Sequence, residues 1–462
     1  MKKILNLFLA VLMIFSISAV KNIYAQNNKN IDIGLKFADM AVSEAGFKVS
    51  GLALNDGLTS KYVNSQISFT VRPVAEIYVD DVSYSDYTSV SLTDGDFVFV
   101  KDLSGYYKAS LKNKYKNKLQ NAVAVYDSSN NIIFALDGKS DLTMGSSDFS
   151  PFEIFKKKYR GNIKLINNSG KLTVINTVGM EDYLYGVLPS EIYSNWNMEA
   201  LKAQAVAARS FAYSNYNKFA KYGFNLTDDA RSQMYKGYNN ENQNTSRAVD
   251  ETKGIVGMYG GKVAELIYNA SSGGYTVSAK DVWGSDVPYL ISKEDPFSRN
   301  NEHSNWSFIM NKAEIEKVLK NSNKDIGSLN NITIDETTKG GHVLKLTFHG
   351  TKGEAVYTKD AVRWALGSGK LKSLLFKVSG SADEKNISSG SFVLLGKYID
   401  ERLVENKGKN TQTESSYIFL GSGYGHGVGM SQYGAQQMAK EGYKFDKILE
   451  FYYPGISLEA MN

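Results

Sequence analysis

The sequence predicts an α+β protein, with a β-rich N-terminal domain followed by a mixed α+β domain that carries a small inserted lobe. Three observations predict it. Up to about residue 161 the apolar residues often recur at every second position between turn-rich gaps, as in QISFTVRP and NAVAVYDSSNNIIFALDG, which is the period of half-buried strands. From Met198 the run MEALKAQAVAARSFA has instead the composition and spacing of a helix. Beyond that helix, strand and helix patterns alternate to the C-terminus.

The first residues, MKKILNLFLAVLMIFSISAVKNIYAQ, combine a basic start, an apolar run from Ile4 to Val20 and a small residue, Ala25, where cleavage would fit. They predict an export signal over residues 1–25, and hence a protein secreted into the cell wall or held at the outer face of the cytoplasmic membrane. The apolar run is close to the length that spans a bilayer, so an uncleaved anchor is the alternative. The chain has 462 residues, 42% of them hydrophobic, enough for two or three domains with real cores. A net charge of +5 without a block of Lys and Arg gives no nucleic-acid signature. The chain has no cysteine, which excludes a disulfide framework and a thiolate metal site.

Residues 26–158 read as the β-rich domain, with strand patterns in IDIGLKF, AEIYVDD and FVFVKD and a hairpin turned by Ser128-Ser129-Asn130-Asn131. Glycan or partner binding and simple spacing are equal readings of its role. A second hairpin pattern, NIKLINNSGKLTVINT, turns at Asn168-Ser169-Gly170 and opens the domain placed at 159–462.

Within that domain the decisive stretch runs from Tyr183 to Phe219. Asn197 is placed to cap the helix from Met198, Glu199 falls in its first turn, and Leu201, Ala205, Ala208 and Ala212 form one stripe of mostly small residues for close packing. Before the helix, Pro189-Ser190-Glu191 reads as a turn flanked by Tyr183, Leu184, Val187, Leu188, Ile192, Tyr193 and Trp196. A carboxyl in such surroundings is partly desolvated, and its raised pKa suits a general acid. A cap or a surface acid is the plainer reading.

The string GVLPSEI followed by EALKAQAVAARSFA resembles the signature of the stage II sporulation protein D and amidase-enhancer family of bacterial cell-wall proteins. The likeness runs from about Tyr159 to Leu458. It implies that Glu191 is catalytic, as is the Glu of a similar Ser-Glu-Met-Pro segment in glycan-cleaving members; here Ile192 and Tyr193 follow the acid and Pro189 precedes it. The segment SQMYKGY is similar to one that carries Cys in relatives that bind zinc. With Ser232 at that place and only His303, His342, His349 and His426 in the whole chain, no zinc and no cofactor are expected.

Gly260-Gly261 between two β-patterned runs predicts a tight hairpin, and the second run leads to Asn269-Ala270-Ser271-Ser272-Gly273-Gly274. The resemblance makes Ser271 and Ser272 substrate-binding residues bordering a glycan groove. A serine hydrolase using Ser271 or Ser272 with His426 and Asp281 is a reading from another class, weakened by the missing Gly-x-Ser-x-Gly elbow. Residues 310–376, with AEIEKVLK as a helix and ITIDET and HVLKLTFHG as strands, form the expected inserted lobe.

The last element, IFLGSGYGHGVGMSQYGAQQMAK, is strand, glycine-rich loop and helix. No second parallel strand follows it, so a dinucleotide site is excluded. The family shares the Gly-x-Gly-His-Gly-x-Gly-Met-Ser-Gln pattern, which implies that His426 and Gln432 bind substrate near Glu191; a His that locks the loop is the equal alternative.

Together the resemblance implies a peptidoglycan lytic transglycosylase in which Glu191 is acid and then base, its partners being glycan strands and other cell-wall hydrolases or sporulation proteins. The second reading is a non-catalytic glycan-binding protein that enhances an N-acetylmuramoyl-L-alanine amidase.

Overall fold

The computed structural model describes residues 30–56, 60–64, 68–367, 369–380 and 416–461. The expected export signal lies outside them. Helices and strands are both abundant and the N-terminal part is β-rich, so the chain is α+β. It divides into two compact units, Met1–Asn195 with Ala212–Ile255 and Ala460–Asn462, and Trp196–Phe211 with Val256–Glu459. The boundary expected at 158/159 therefore falls inside the first unit.

In the first unit the described strands form two sheets. One has the order Leu226–Thr227, Asn30–Lys36, Lys171–Gly179, Asn162–Asn168, Thr143–Ser146, Leu52–Asn55, Ser60–Asn64. N-terminal strands thus pair directly with the hairpin at 162–179: Ile31 faces Val178 and Met144 faces Ile163. That hairpin turns where expected, with Ser169 and Gly170 both at positive φ. Gly34 is required by packing, since a Cβ there would lie 2.5 Å from the Phe224 ring.

The other sheet bends back on itself. Strand Ser68–Tyr84 pairs with Gly105–Ser110 on one side and with Asn117–Tyr126 on the other, and Asp96–Asp102 and Ile132–Leu136 complete the ring. Its inward positions, Ile77, Val79, Phe97, Phe99, Ala109, Ala122, Ala124 and Ala135, pack into one core cluster. Closure pairs strands that would otherwise present open edges. The hairpin across 126–132 is present as predicted, held by Asp127 accepting from the N–H groups of Ser129 and Asn131.

In the second unit the helix Met198–Ser214 contributes residues 198–211. It begins as predicted, with Asn197 Oδ1 accepting the Glu199 N–H at 3.0 Å, and Leu201, Ala205, Ala208 and Ala212 are all fully buried. Gly260 and Gly261 turn the expected two-residue hairpin at φ 57° and 74°. In the same unit the helix Lys312–Asn321 opens on a capping box between Asn311 and Glu314. Strands Leu329–Thr337, Val343–Gly350 and Gly353–Thr358 make an antiparallel sheet beside it.

Candidate functional site

Glu191 does not sit in a free turn. It is the last residue of a 12-residue helix, Met180–Glu191, with Pro189 inside the final turn. Pro189 has no N–H to give the Tyr185 carbonyl, and the last turn is held instead by Ser190 Oγ donating to the Gly186 carbonyl at 2.9 Å and the Ile192 N–H to that of Leu188 at 3.0 Å. Tyr183, Leu184, Val187 and Leu188 bury one face of this helix, while Glu181 and Asp182 occupy its first turn.

The helix end holds the Glu191 carboxyl against protein. Its Oε1 accepts the Met234 N–H at 2.6 Å. Burial raises its pKa above the usual carboxylate value, and the Met234 hydrogen bond and the charge of Lys236 oppose that shift without cancelling it. Tyr183, donating to Gln233 Oε1 at 3.2 Å, stays protonated far into the alkaline range because it is buried and because Glu191 and Asp228 add negative charge nearby.

The same segment walls a cavity of about 550 Å³ lined by Lys157, Asp228, Met234, Lys236, Asn239 and Asn240, among others. Asn240 Nδ2 donates to Ser190 Oγ at 2.9 Å, which ties the cavity wall to the last turn of the Glu191 helix. Asp228 was not singled out from the sequence, where Thr227-Asp228-Asp229 looks like a solvated loop. Burial pushes its carboxyl up to about 6, with Asp229 adding to the rise and Lys157 opposing it. Burial thus raises the pKa of Glu191, of Asp228 and of Asp182 in the first turn of the Glu191 helix, all in this one unit.

Ser232, the position at which the resemblance would have put a zinc-binding Cys, closes its own loop by hydrogen bonds. Its Oγ accepts the Thr227 N–H and lies 3.1 Å from Thr227 Oγ1, and its own N–H bonds the Asp229 carbonyl. These donors do not fit zinc.

The other expected site residues belong to the second unit. Ser271 and Ser272 are buried, with their hydroxyls committed to protein groups. Ser272 Oγ donates to Asp295 Oδ2 at 2.6 Å, and Ser271 Oγ accepts from Asn301 Nδ2 at 3.2 Å. Asp295 is fully buried and also receives Tyr452 Oη at 3.1 Å; burial raises its pKa against these bonds. His426 Nδ1 accepts the Val428 N–H at 3.1 Å, and a second hydrogen bond joins the imidazole to the backbone of Tyr268. Burial first, and then the charge of Arg363, push the imidazole down to about 4. Gln432, also buried, donates through Nε2 to Gln204 Oε1 at 3.3 Å.

No serine triad forms from these groups. Ser272 is bonded to Asp295, Asp281 to Ser278, and His426 to backbone. What the unit does bring together is the serine loop and the glycine-rich loop. Ser271 and Tyr424 exchange backbone hydrogen bonds, and Asn269 Nδ2 donates to the Val428 carbonyl. Gly423, Gly425, Gly427 and Gly429 all have positive φ, and a Cβ on Gly429 would lie 2.0 Å from the Ile267 carbonyl oxygen.

Residues 168–259 match the family described as stage II sporulation protein, so the chain carries a stage II sporulation protein domain. Residues 279–397 match a domain of unknown function, DUF8618. The chain is 32% identical over 484 residues to the amidase enhancer of Bacillus subtilis (strain 168), covering 92% of this chain and 61% of that protein. It is 28% identical over 299 residues to stage II sporulation protein D of the same organism, covering 62% of this chain and 75% of that protein. An uncharacterised protein of Brachyspira hyodysenteriae (strain ATCC 49526 / WA1) is 28% identical over 384 residues, covering 81% of this chain and 93% of that protein.

Proposed function

We propose that the protein is an exported peptidoglycan lytic transglycosylase that cleaves between N-acetylmuramic acid and N-acetylglucosamine. The observation that carries this reading is the Glu191 carboxyl, half-buried at a helix end within the sporulation-protein domain, with its pKa raised by burial and a cavity beside it. Glycosidases that use water need two carboxylates at defined separation. A lytic reaction needs one. Glu191 gives its proton to the glycosidic oxygen as the C1–O bond breaks. The resulting carboxylate then takes the proton of the sugar's C6 hydroxyl as that oxygen bonds to C1, closing a 1,6-anhydro ring and restoring the acid.

The 32% identity to a protein named amidase enhancer, over 92% of this chain, favours a second reading: a non-catalytic glycan binder that stimulates an amidase. Incubating the purified protein with intact and with peptide-stripped glycan strands separates the two. Products ending in 1,6-anhydro-muramic acid support cleavage. Faster release of stem peptides by an added amidase, with no such ends, supports the enhancer. Export itself is tested by N-terminal sequencing of the secreted form, which should begin near Gln26, whereas an intact membrane-bound N-terminus would show an anchor.

A further inference from the structure

The chain has four tryptophans, and two of them, Trp283 and Trp364, are 41% and 54% exposed. Indoles left in water forgo the burial that normally places them inside, and a pair of them marks a surface that meets something. Both lie within the segment that matches a domain of unknown function. Trp283 ends the short helix Ala279–Trp283, and Trp364 ends the 3-10 turn Lys359–Trp364 packed against it.

Two cations, Lys359 and Arg363, stand on the turn that ends in Trp364. The Arg363 guanidinium lies 5.6 Å from the centre of the Trp364 ring and its side chain is only 18% exposed. It makes one hydrogen bond, from Nη1 to Asp360 Oδ1 at 3.3 Å, and its buried Nε has no partner. A guanidinium has five N–H donors, so most of its capacity is unused in a partly desolvated place. Lys359 adds a second cation: its Nζ lies 3.1 Å from where a Cβ on Gly284, the residue after Trp283, would stand. Asp360 is the acid facing Arg363. Asp281 is held by Ser278, and Asp286 by Lys280. His426 packs edge-on to Trp283 at 5.1 Å and remains neutral there.

We infer that Trp283, Lys359, Arg363 and Trp364 form a binding site for a carboxylate carried beside an apolar face. The planar fork of Arg363 matches a carboxylate bidentately, and such charge-assisted bonds are strongest where water is partly excluded. The indoles supply flat faces for the C–H side of a sugar ring or for a short side chain. The choice of ligand rests on the wall-substrate reading above. Peptidoglycan offers this chemistry from two sources, the carboxyl of muramic acid itself and the carboxyls of its stem peptide.

The test is a titration of the full-length protein followed by NMR of the indole N–H signals, with N-acetylmuramic acid, L-alanyl-D-glutamate and N-acetylglucosamine as probes. Either acid should shift the Trp283 and Trp364 signals in the millimolar range, and N-acetylglucosamine should bind at least tenfold more weakly. A response to the sugar acid alone identifies the muramic carboxyl, and a response to the dipeptide alone identifies the stem. Arg363→Gln and the surface variant Trp364→Ala, each confirmed folded by thermal melting, should weaken the response tenfold or more. Equal binding of N-acetylglucosamine and N-acetylmuramic acid, no binding of either acid, or wild-type binding by both variants would overturn the inference. The readout is binding, so loss of the transglycosylase reading leaves it standing, and the reverse also holds.

Discussion

The backbone N–H of Met234 donates to Glu191 Oε1 at 2.6 Å, joining residues 43 positions apart. This bond fixes where the carboxyl points and partly offsets its desolvation, so the acid is oriented while its pKa stays raised. It also ties the acid to the segment that walls the neighbouring cavity and carries Asp228 and Lys236.

Asp228 should reveal itself through pH. Its pKa rises from 3.8 to about 6 on folding, so the folded state favours the neutral form. That contribution is complete below about pH 3.8 and is lost as the pH rises through about 6. Asp228→Asn should therefore melt higher than wild type at pH 7–8, by up to about 3 kcal/mol, since a tenfold change in proton affinity is worth about 1.4 kcal/mol. The difference should vanish towards pH 4. Thermal melts across this range check it, and a variant less stable than wild type at pH 8 would contradict it. If Glu191 alone carries the proton transfers, Asp228→Asn retains cleavage.

Ser272 should behave as part of the core. Ser272→Ala removes a donor to buried Asp295 and should cost about 1–3 kcal/mol of stability, the usual penalty for leaving a buried polar partner under-satisfied. Glycan binding by the folded variant should be unchanged, and a fluorophosphonate serine probe should not label the wild type. Unchanged melting together with weakened glycan binding would instead place the hydroxyl on the substrate.

Glycines at positive φ should be sensitive by position, as Gly429 in the glycine-rich loop and Gly442 after the helix that follows it show. Gly429 has φ 72°, and a Cβ there would meet the Ile267 carbonyl oxygen at 2.0 Å, so Gly429→Ala should cost about 3 kcal/mol or more. Gly442, at φ 94°, would have nothing within 4 Å of its Cβ. Gly442→Ala should cost only the left-handed backbone strain, about 1–2 kcal/mol. Chemical denaturation of both variants measures the contrast, and equal losses would contradict the packing described.

Much of the fold was legible because its signals are local. Asn197 caps the helix from Met198, and Asn168 to Gly170 and Gly260-Gly261 turn hairpins, each within a few residues. The helical setting of Glu191 was hidden by Pro189, which has no N–H to donate and reads in sequence as a helix breaker. Asp228 and Asp295 look like surface acids in sequence, since their burial depends on elements far along the chain. The ring closed by Ser68–Tyr84 pairing with Asn117–Tyr126 has no sequence mark beyond alternation, because alternation does not name the partner strand.

The central claim is that the Glu191 proton drives glycan cleavage. Glu191→Gln keeps the shape, and its amide oxygen can still accept from Met234, so the variant should fold and melt close to wild type. Without a transferable proton its rate should fall by about 10²–10⁴-fold, the range for loss of a general acid. The decisive measurement is the rate at which 1,6-anhydro-muramic ends appear, read by mass spectrometry, for wild type and Glu191→Gln on intact and on peptide-stripped strands. The account predicts such ends from wild type on at least one substrate and a loss of that size in the variant; no such ends from wild type, or equal rates from both proteins, would contradict it.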